Sequence, residues 1–136
     1  MENKVMYKAV YCGEQNKRVS IFAGEEYKLE YKKGKIVEKI PGTLGIFVFN
    51  TEENAKEFIY GYLCKEHRII KVRPINYRKI YRMIPYGCRA GSKKIRRFYE
   101  MKMDLKRIFK KRIFSAYHCC PAPKGSYVCD AVEVLE

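Results

Sequence analysis

The first half of the chain alternates apolar and polar positions with a period of two, a pattern typical of β-strands. Gly13 and Gly24 separate the first runs, and Lys33-Gly34 offers a tight turn between the third and fourth. That turn predicts a hairpin between the runs on either side of it. The predicted strands cover residues 4–12, 18–23, 27–31 and 35–40.

Two runs depart from this alternation. Residues 44–49 are nearly all apolar, which predicts a central strand buried on both faces. Apolar residues then recur at helical spacing, which predicts a helix over residues 52–65 with one face on the sheet. Asn50 or Thr51 is expected to cap it, and Asn50 with Glu53 resembles a capping box.

The second half begins with a basic alternating stretch over residues 68–84, which predicts one or two strands broken at Pro74. A longer helix is predicted from Ser92 to about residue 114, with one apolar face and an opposite face of Lys and Arg. Residues 126–135 are predicted to form a closing strand.

These elements predict an α+β fold in a single domain, residues 1–136. A small, mostly antiparallel sheet carries one short helix, and a longer basic helix lies in the second half. The apolar content of 47% is sufficient for a packed core.

The net charge of +14 is unevenly distributed along the chain. Residues 1–66 hold 11 basic and 10 acidic residues, whereas residues 67–136 hold 18 basic and five acidic residues. Like charges concentrated on half of a small domain repel one another. The second half therefore predicts an anionic partner: nucleic acid, a nucleotide or an acidic protein surface.

The cysteines and the hydropathy pattern favour a cytoplasmic protein. No apolar run approaches the length of a bilayer span, and the N-terminus lacks the apolar region of a signal peptide. The six cysteines are therefore expected to be free thiols in a reducing compartment, with no membrane contact.

The loop before the basic helix is the strongest candidate site. Two glycines allow close backbone approach, the first-turn amides of a helix face an anion, and the arginines add charge. Only three residues separate Gly87 from Gly91, and Ser92 precedes Lys93, so the motif is not the phosphate-binding loop of nucleotide hydrolases. An exposed loop before a solvated helix remains the alternative. The predicted ligand-binding residues are Tyr86, Arg89, Gly91, Ser92, Lys93, Arg96, Arg97 and Tyr99.

Tyrosines alternate with arginines along the same half of the chain. Tyr77-Arg78 and Tyr81-Arg82 precede the loop, and Arg97-Phe98-Tyr99 follows it. Such pairs supply rings for stacking a base and guanidinium groups for phosphate. Tyrosine also packs in ordinary cores, so each ring has a structural alternative.

Catalysis and metal binding have little support. Between Arg68 and Arg112 the only acids are Glu100 and Asp104, so no paired-carboxylate mechanism, catalytic residue or cofactor is predicted. Cys64-x-x-His67 supplies one paired zinc-ligand spacing where structural sites usually show two. No metal site is predicted, although these residues with His118, Cys119 and Cys120 leave zinc open.

Part of the first half resembles a known family. The residues concerned are Arg18-Val-Ser-Ile-Phe, the run 27–31, Pro41-Gly-Thr-Leu-Gly-Ile-Phe-Val-Phe, and Thr51-x-x-x-Ala55-x-x-Phe58. Over residues 18–58 the chain resembles the Thoeris anti-defense sponge proteins of phages and prophages. The matching motif is mostly core-forming, so the site residues above rest on the chemistry of this sequence.

The resemblance implies a non-catalytic protein in the cytoplasm of a bacterial host. It would bind a cyclic nucleotide immune signal, such as a cyclic ADP-ribose isomer, and keep it from its effector. It also implies a symmetric oligomer with ligand near the subunit contacts. Two alternatives stay open: a basic nucleic-acid-binding protein, or an inhibitor of a nucleic-acid-processing enzyme.

Overall fold

The computed structural model describes residues 4–13, 17–20, 28–60, 67–83 and 120–136. These ranges contain ten strands and one helix, α1 (Glu52–Tyr60). The strands in chain order are β1 (Met6–Cys12), β2 (Arg18–Ser20), β3 (Ile36–Glu38), β4 (Ile46–Phe49), β5 (His67–Ile75), β6 (Arg78–Lys79), β7 (Arg82–Met83), β8 (Cys120–Pro121), β9 (Ser126–Cys129) and β10 (Ala131–Val134).

Eight strands form one antiparallel sheet in the order β3-β10-β5-β1-β4-β9-β6, with β2 beside β1. Strands β7 and β8 pair separately as a two-stranded ribbon. The predicted α+β class is wrong, because the described part of the chain is mostly β and contains one short helix. The longer basic helix predicted over residues 92–114 lies outside the described residues.

The sheet has two chemically different faces. Tyr7 of β1 lies opposite Phe49 of β4, and the Phe49 ring lies 5.1 Å from the Phe58 ring of α1. Opposite residues of an antiparallel pair share a face, so α1 covers the side that carries Tyr7, the helix face. Met6 and Val10 alternate with Tyr7 and point to the other side, the core face.

The main apolar cluster lies on the core face and draws on both ends of the chain. Strands from the first half meet β9 and β10, which come from the C-terminal end of the chain. Non-local pairing of this kind ties distant parts of the chain into one core. The cluster comprises Met6, Val10, Tyr31, Ile46, Val48, Ile70, Val72, Cys129, Val132 and Val134.

The central strand and the first helix follow the sequence prediction. β4 lies between β1 and β9, and all four of its residues are buried, so its lack of alternation is explained. Thr51 caps α1, because its hydroxyl accepts a hydrogen bond of 3.1 Å from the Asn54 amide. The predicted Asn50–Glu53 capping box is wrong, since the Asn50 amide donates to the Gly125 carbonyl at 3.0 Å and Asn50 Oδ1 accepts from Asn54 Nδ2.

Strand β5 continues through Pro74, where a break was expected. β1 pairs with β5 only up to Val72, so from Arg73 onward β10 is the one neighbour of β5 among the described strands. A proline that lacks an N–H is tolerated where one side of a strand is unpaired. The predicted break is therefore wrong. Lys71 and Arg73 share one face of β5, whereas Arg68 lies on the other face, opposite Val10.

The Lys33-Gly34 turn is confirmed, with a positive φ of 80° at Gly34. The hairpin predicted from it is wrong. Val37 of β3 pairs with Val132 of β10, and the neighbouring run meets β2 through a bridge between Val19 and Glu30. The closing strand predicted over residues 126–135 is two strands, because Asp130 separates β9 from β10.

Candidate functional site

Lysines on the core face lie over tyrosine rings. The Nζ atom of Lys4 is 5.6 Å from the centre of the Tyr77 ring and 5.8 Å from that of Tyr127. Lys79 Nζ is 5.3 Å from the Tyr81 ring. These residues, Lys4, Tyr77, Lys79, Tyr81 and Tyr127, form the edge cluster.

The pairing of β6 with β9 builds this cluster. Lys79 lies opposite Tyr127, so both side chains occupy the core face at the β6 edge of the sheet. The Tyr77 and Tyr127 rings meet edge to face, 5.9 Å apart at 73°. Ammonium groups held against aromatic faces are attracted to the rings, yet they stay available to an anion in solvent.

The β7–β8 ribbon connects the edge cluster to the predicted loop. Arg82 pairs with Pro121 and Met83 with Cys120, and the Ala122 amide donates to the Tyr81 carbonyl at 2.9 Å. The segment 84–119 therefore starts and ends at a ribbon that adjoins Tyr81.

That segment holds every residue of the predicted ligand-binding loop. Tyr86, Arg89, Gly91, Ser92, Lys93, Arg96, Arg97 and Tyr99 all lie outside the described residues. By sequence, the segment carries 11 basic and two acidic residues. Of the predicted aromatic and basic pairs, the structure therefore places Tyr77, Arg78 and the Tyr81 ring.

Arg78 has a structural role. Its Nη2 donates to the Leu44 carbonyl at 3.3 Å, and its Nη1 lies 3.6 Å from Asp130 Oδ1. Asp130 also pairs with Lys39 at 3.3 Å and faces Asn76. Burial alone raises the pKa of the Asp130 carboxyl, but Lys39, Asn76 and Arg78 outweigh burial and hold this pKa below its usual value.

Lys8 is a candidate that sequence reasoning missed. It lies on the core face of β1 between Met6 and Val10, with 9% of its surface exposed. Its Nζ is 5.6 Å from the Tyr31 ring centre, and desolvation lowers the pKa of its ammonium to about 8. The sequence did contain a sign of this burial, because Lys8 lies on the same face of β1 as the apolar residues Met6 and Val10.

The cysteines and histidines of the described ranges are residue types that could form disulfides or bind a metal. Cys12 and Cys129 are free thiols, as expected, and burial raises the pKa of Cys129 to about 12. The described residues contain no group of three or more side chains that could hold a metal ion. His67 contacts the Tyr11 ring edge to face at 6.1 Å. Cys64, His118 and Cys119 lie outside the described residues.

Comparisons with known proteins add no relative. No family model, no curated protein and no solved structure matches the chain. Within the described ranges, no helix combines the length and apolar character needed to cross a bilayer.

Proposed function

We propose that this protein binds a small phosphate-bearing nucleotide and holds it without cleaving it. The observation that carries the proposal is the contact of three lysines with tyrosine rings. Lys4, Lys8 and Lys79 lie over tyrosine rings, whereas Arg73 and Arg78 pair with Glu133 and Asp130. At the β6 edge, the exposed Lys4 and Lys79 thus lie beside aromatic rings, and ammonium groups and rings suit the phosphates and the base of a nucleotide.

The ligand class follows from the resemblance of residues 18–58 to the Thoeris sponge proteins. On that basis the ligand is a cyclic nucleotide immune signal, such as a cyclic ADP-ribose isomer, and the protein acts for a phage in the cytoplasm of a bacterial host. A symmetric oligomer with ligand near the subunit contacts belongs to the same proposal.

Within the binding site, the edge cluster contributes the rings that stack on the base. The predicted loop contributes phosphate contacts through Arg89, Arg96 and Arg97. The ribbon that adjoins Tyr81 supports this division, because the loop segment begins directly after it.

Thermal shift against a panel of cyclic nucleotides, ADP and inorganic pyrophosphate tests the proposal. We expect stabilisation by at least one nucleotide, larger than that by pyrophosphate, because the rings add a contact with the base. The nucleotide should be recovered intact after incubation. No stabilisation by any nucleotide contradicts the proposal.

Nucleic-acid binding is the second candidate, and the net charge of +14 favours it. Gel shifts on random DNA and RNA over a range of salt concentrations separate the two. Binding through many phosphates falls steeply with salt, whereas a site for one small nucleotide responds weakly. Retarded DNA at moderate salt, without stabilisation by any nucleotide, selects the second candidate.

A further inference from the structure

Lys4 occupies the corner between two tyrosine rings of the edge cluster. Its Nζ atom lies 5.6 Å from the centre of the Tyr77 ring and 5.8 Å from that of Tyr127. The two ring centres are 5.9 Å apart, and the rings are inclined at 73°. The centres of stacked aromatic rings lie about 4.5–7 Å apart, so on this side the ammonium group takes the place that a nucleotide base would occupy.

The Lys4 side chain can leave this corner without a change in the sheet. Lys4 is exposed and lies two residues before β1, outside the ladders of the described strands. Its ammonium group sits at the end of a flexible four-carbon stem, and an exposed contact between such a group and a ring is weak. A base that stacks on these rings from the same side therefore displaces the ammonium group at a small cost.

We propose that Lys4 makes the edge cluster selective for phosphorylated nucleotides over nucleosides. The inference rests on the proposed function and deepens it, because it gives the ligand a phosphate next to the stacked base. A nucleoside displaces the ammonium group from both rings and offers it no new partner. A nucleotide also displaces it, but a phosphate oxygen then accepts a charge-assisted hydrogen bond from Nζ. Only the phosphorylated ligand replaces the contact that is lost.

The test compares Lys4→Ala with the wild type against adenosine and ADP. Lys71→Ala is the matched control, because Lys71 is an exposed lysine on the helix face, opposite Tyr7. Each substitution removes one charge from an exposed position, so both variants should fold. Titrations at about 150 mM salt, followed by NMR through the tyrosine ring resonances, give the dissociation constants.

We expect Lys4→Ala to bind adenosine about two- to fivefold more tightly than the wild type does. This factor is the equivalent of about 0.5–1 kcal/mol, the free energy of an exposed contact between an ammonium group and a ring. The same variant should bind ADP about threefold or more weakly, because the lost hydrogen bond to phosphate exceeds this gain. Lys71→Ala should leave both dissociation constants within about twofold.

The outcomes separate this inference from the proposed function. Adenosine that binds Lys4→Ala no more tightly than the wild type overturns the displacement of the ammonium group. ADP that binds Lys4→Ala as tightly as the wild type overturns its contact with phosphate. Nucleotide binding stands in both cases. If the wild type binds neither ADP nor any cyclic nucleotide, the proposed function fails as well.

A measurement on the wild type applies even if adenosine binds too weakly to titrate. Ring currents of Tyr77 and Tyr127 should shift the Lys4 Hε resonances upfield in the ligand-free protein, and their absence from the Lys4→Arg spectrum identifies them. Saturation with ADP, or with a cyclic nucleotide that binds, should move them to the position of an ordinary exposed lysine. Lys4 resonances that keep their upfield shift in the saturated protein overturn the inference.

Discussion

The Nζ atom of Lys8 lies 5.6 Å from the centre of the Tyr31 ring, and both residues are buried on the core face of the sheet. The ring attracts the ammonium, but it does not replace the lost hydration, so desolvation lowers the pKa of Lys8 to about 8 from 10.5. The Cys129 thiol also lies near Lys8, and it stays neutral near pH 8 because burial raises its pKa to about 12.

Lys8 makes the stability of the fold depend on pH in the alkaline range. Its folded pKa lies below its unfolded pKa, so between pH 8 and 10.5 the unfolded chain binds more protons and stability rises with pH. Below pH 8 the charged ammonium destabilises the fold by about 3 kcal/mol, the equivalent of the pKa difference.

Lys8→Met should therefore raise the free energy of unfolding at pH 7, with a gain that fades towards pH 10.5. Urea denaturation of the wild type and the variant at several pH values measures this difference. Both proteins contain the same tyrosines, so tyrosine ionisation affects both and cancels in the comparison. A lower free energy of unfolding for the variant at pH 7 would show that the contact of the ammonium with Tyr31 outweighs its desolvation.

Asp130 is predicted to stabilise the junction between β9 and β10. Its carboxylate faces Lys39, Asn76 and Arg78, so Asp130→Asn should cost about 1–3 kcal/mol of unfolding free energy at pH 7. Because its folded pKa is depressed, this contribution is present above the unfolded value of 3.8 and is lost as the pH falls through the folded pKa. The difference between wild type and variant should shrink below about pH 4, as measured by urea denaturation.

Glu30→Gln provides the control for Asp130. Glu30 pairs with Lys32 at 3.6 Å, but the Lys32 side chain is 69% exposed. Exposed ion pairs contribute little, so this variant should change stability by less than about 0.5 kcal/mol. A loss as large as that of Asp130→Asn would mean that removal of any acid from this basic protein destabilises it.

Gly45→Ala should be strongly destabilising. Gly45 has a φ of 140°, and a Cβ atom there would lie 2.5 Å from the Cys129 carbonyl oxygen. The backbone of β9 would have to move, so we expect a loss above about 3 kcal/mol or no folding.

Gly42→Ala is the matched variant for Gly45. Gly42 also has a positive φ, 84°, but a methyl group added there would meet no other atom of the described residues within 4 Å. The substitution should cost about 1 kcal/mol, the strain of the backbone conformation alone. Equal melting temperatures for the two variants would contradict the role given to the Cys129 contact.

The predicted loop is tested by Arg96→Ala with Arg97→Ala. We expect loss of nucleotide binding with a melting temperature close to that of the wild type, because surface substitutions usually cost little. Lys33→Ala with Lys35→Ala removes the same charge from an exposed turn and should leave binding within about threefold. Unfolding of the arginine variant would assign these residues a structural role.

Local sequence patterns predicted most elements of the first half, although the strand predicted over residues 27–31 is wrong: its described part, residues 28–31, makes only an isolated bridge at Glu30. The apolar run of β4 and the helical spacing of α1 were readable, because burial on two faces and the α-helical period leave direct signatures. The concentration of charge in the second half was equally plain, and the expectation of an anionic ligand rests on it.

Tertiary structure decided the pairings and the roles of individual charges. β3 pairs with β10, about 95 positions away in the chain, and β9 enters beside β4. The period of a strand's sequence does not reveal which distant strand it pairs with. The predicted hairpin was therefore wrong, and so was the predicted α+β class.

The charged residues show the same division. The sequence predicted that Arg78 could contact phosphate, and it did not single out Lys8. Asp130, brought in from the β9–β10 junction, pairs with Arg78, whereas the packing of the core around Tyr31 and Cys129 buries Lys8. Composition determined how much positive charge the protein carries, but only the packing of distant strands decided which cations pair with acids and which lie over tyrosine rings.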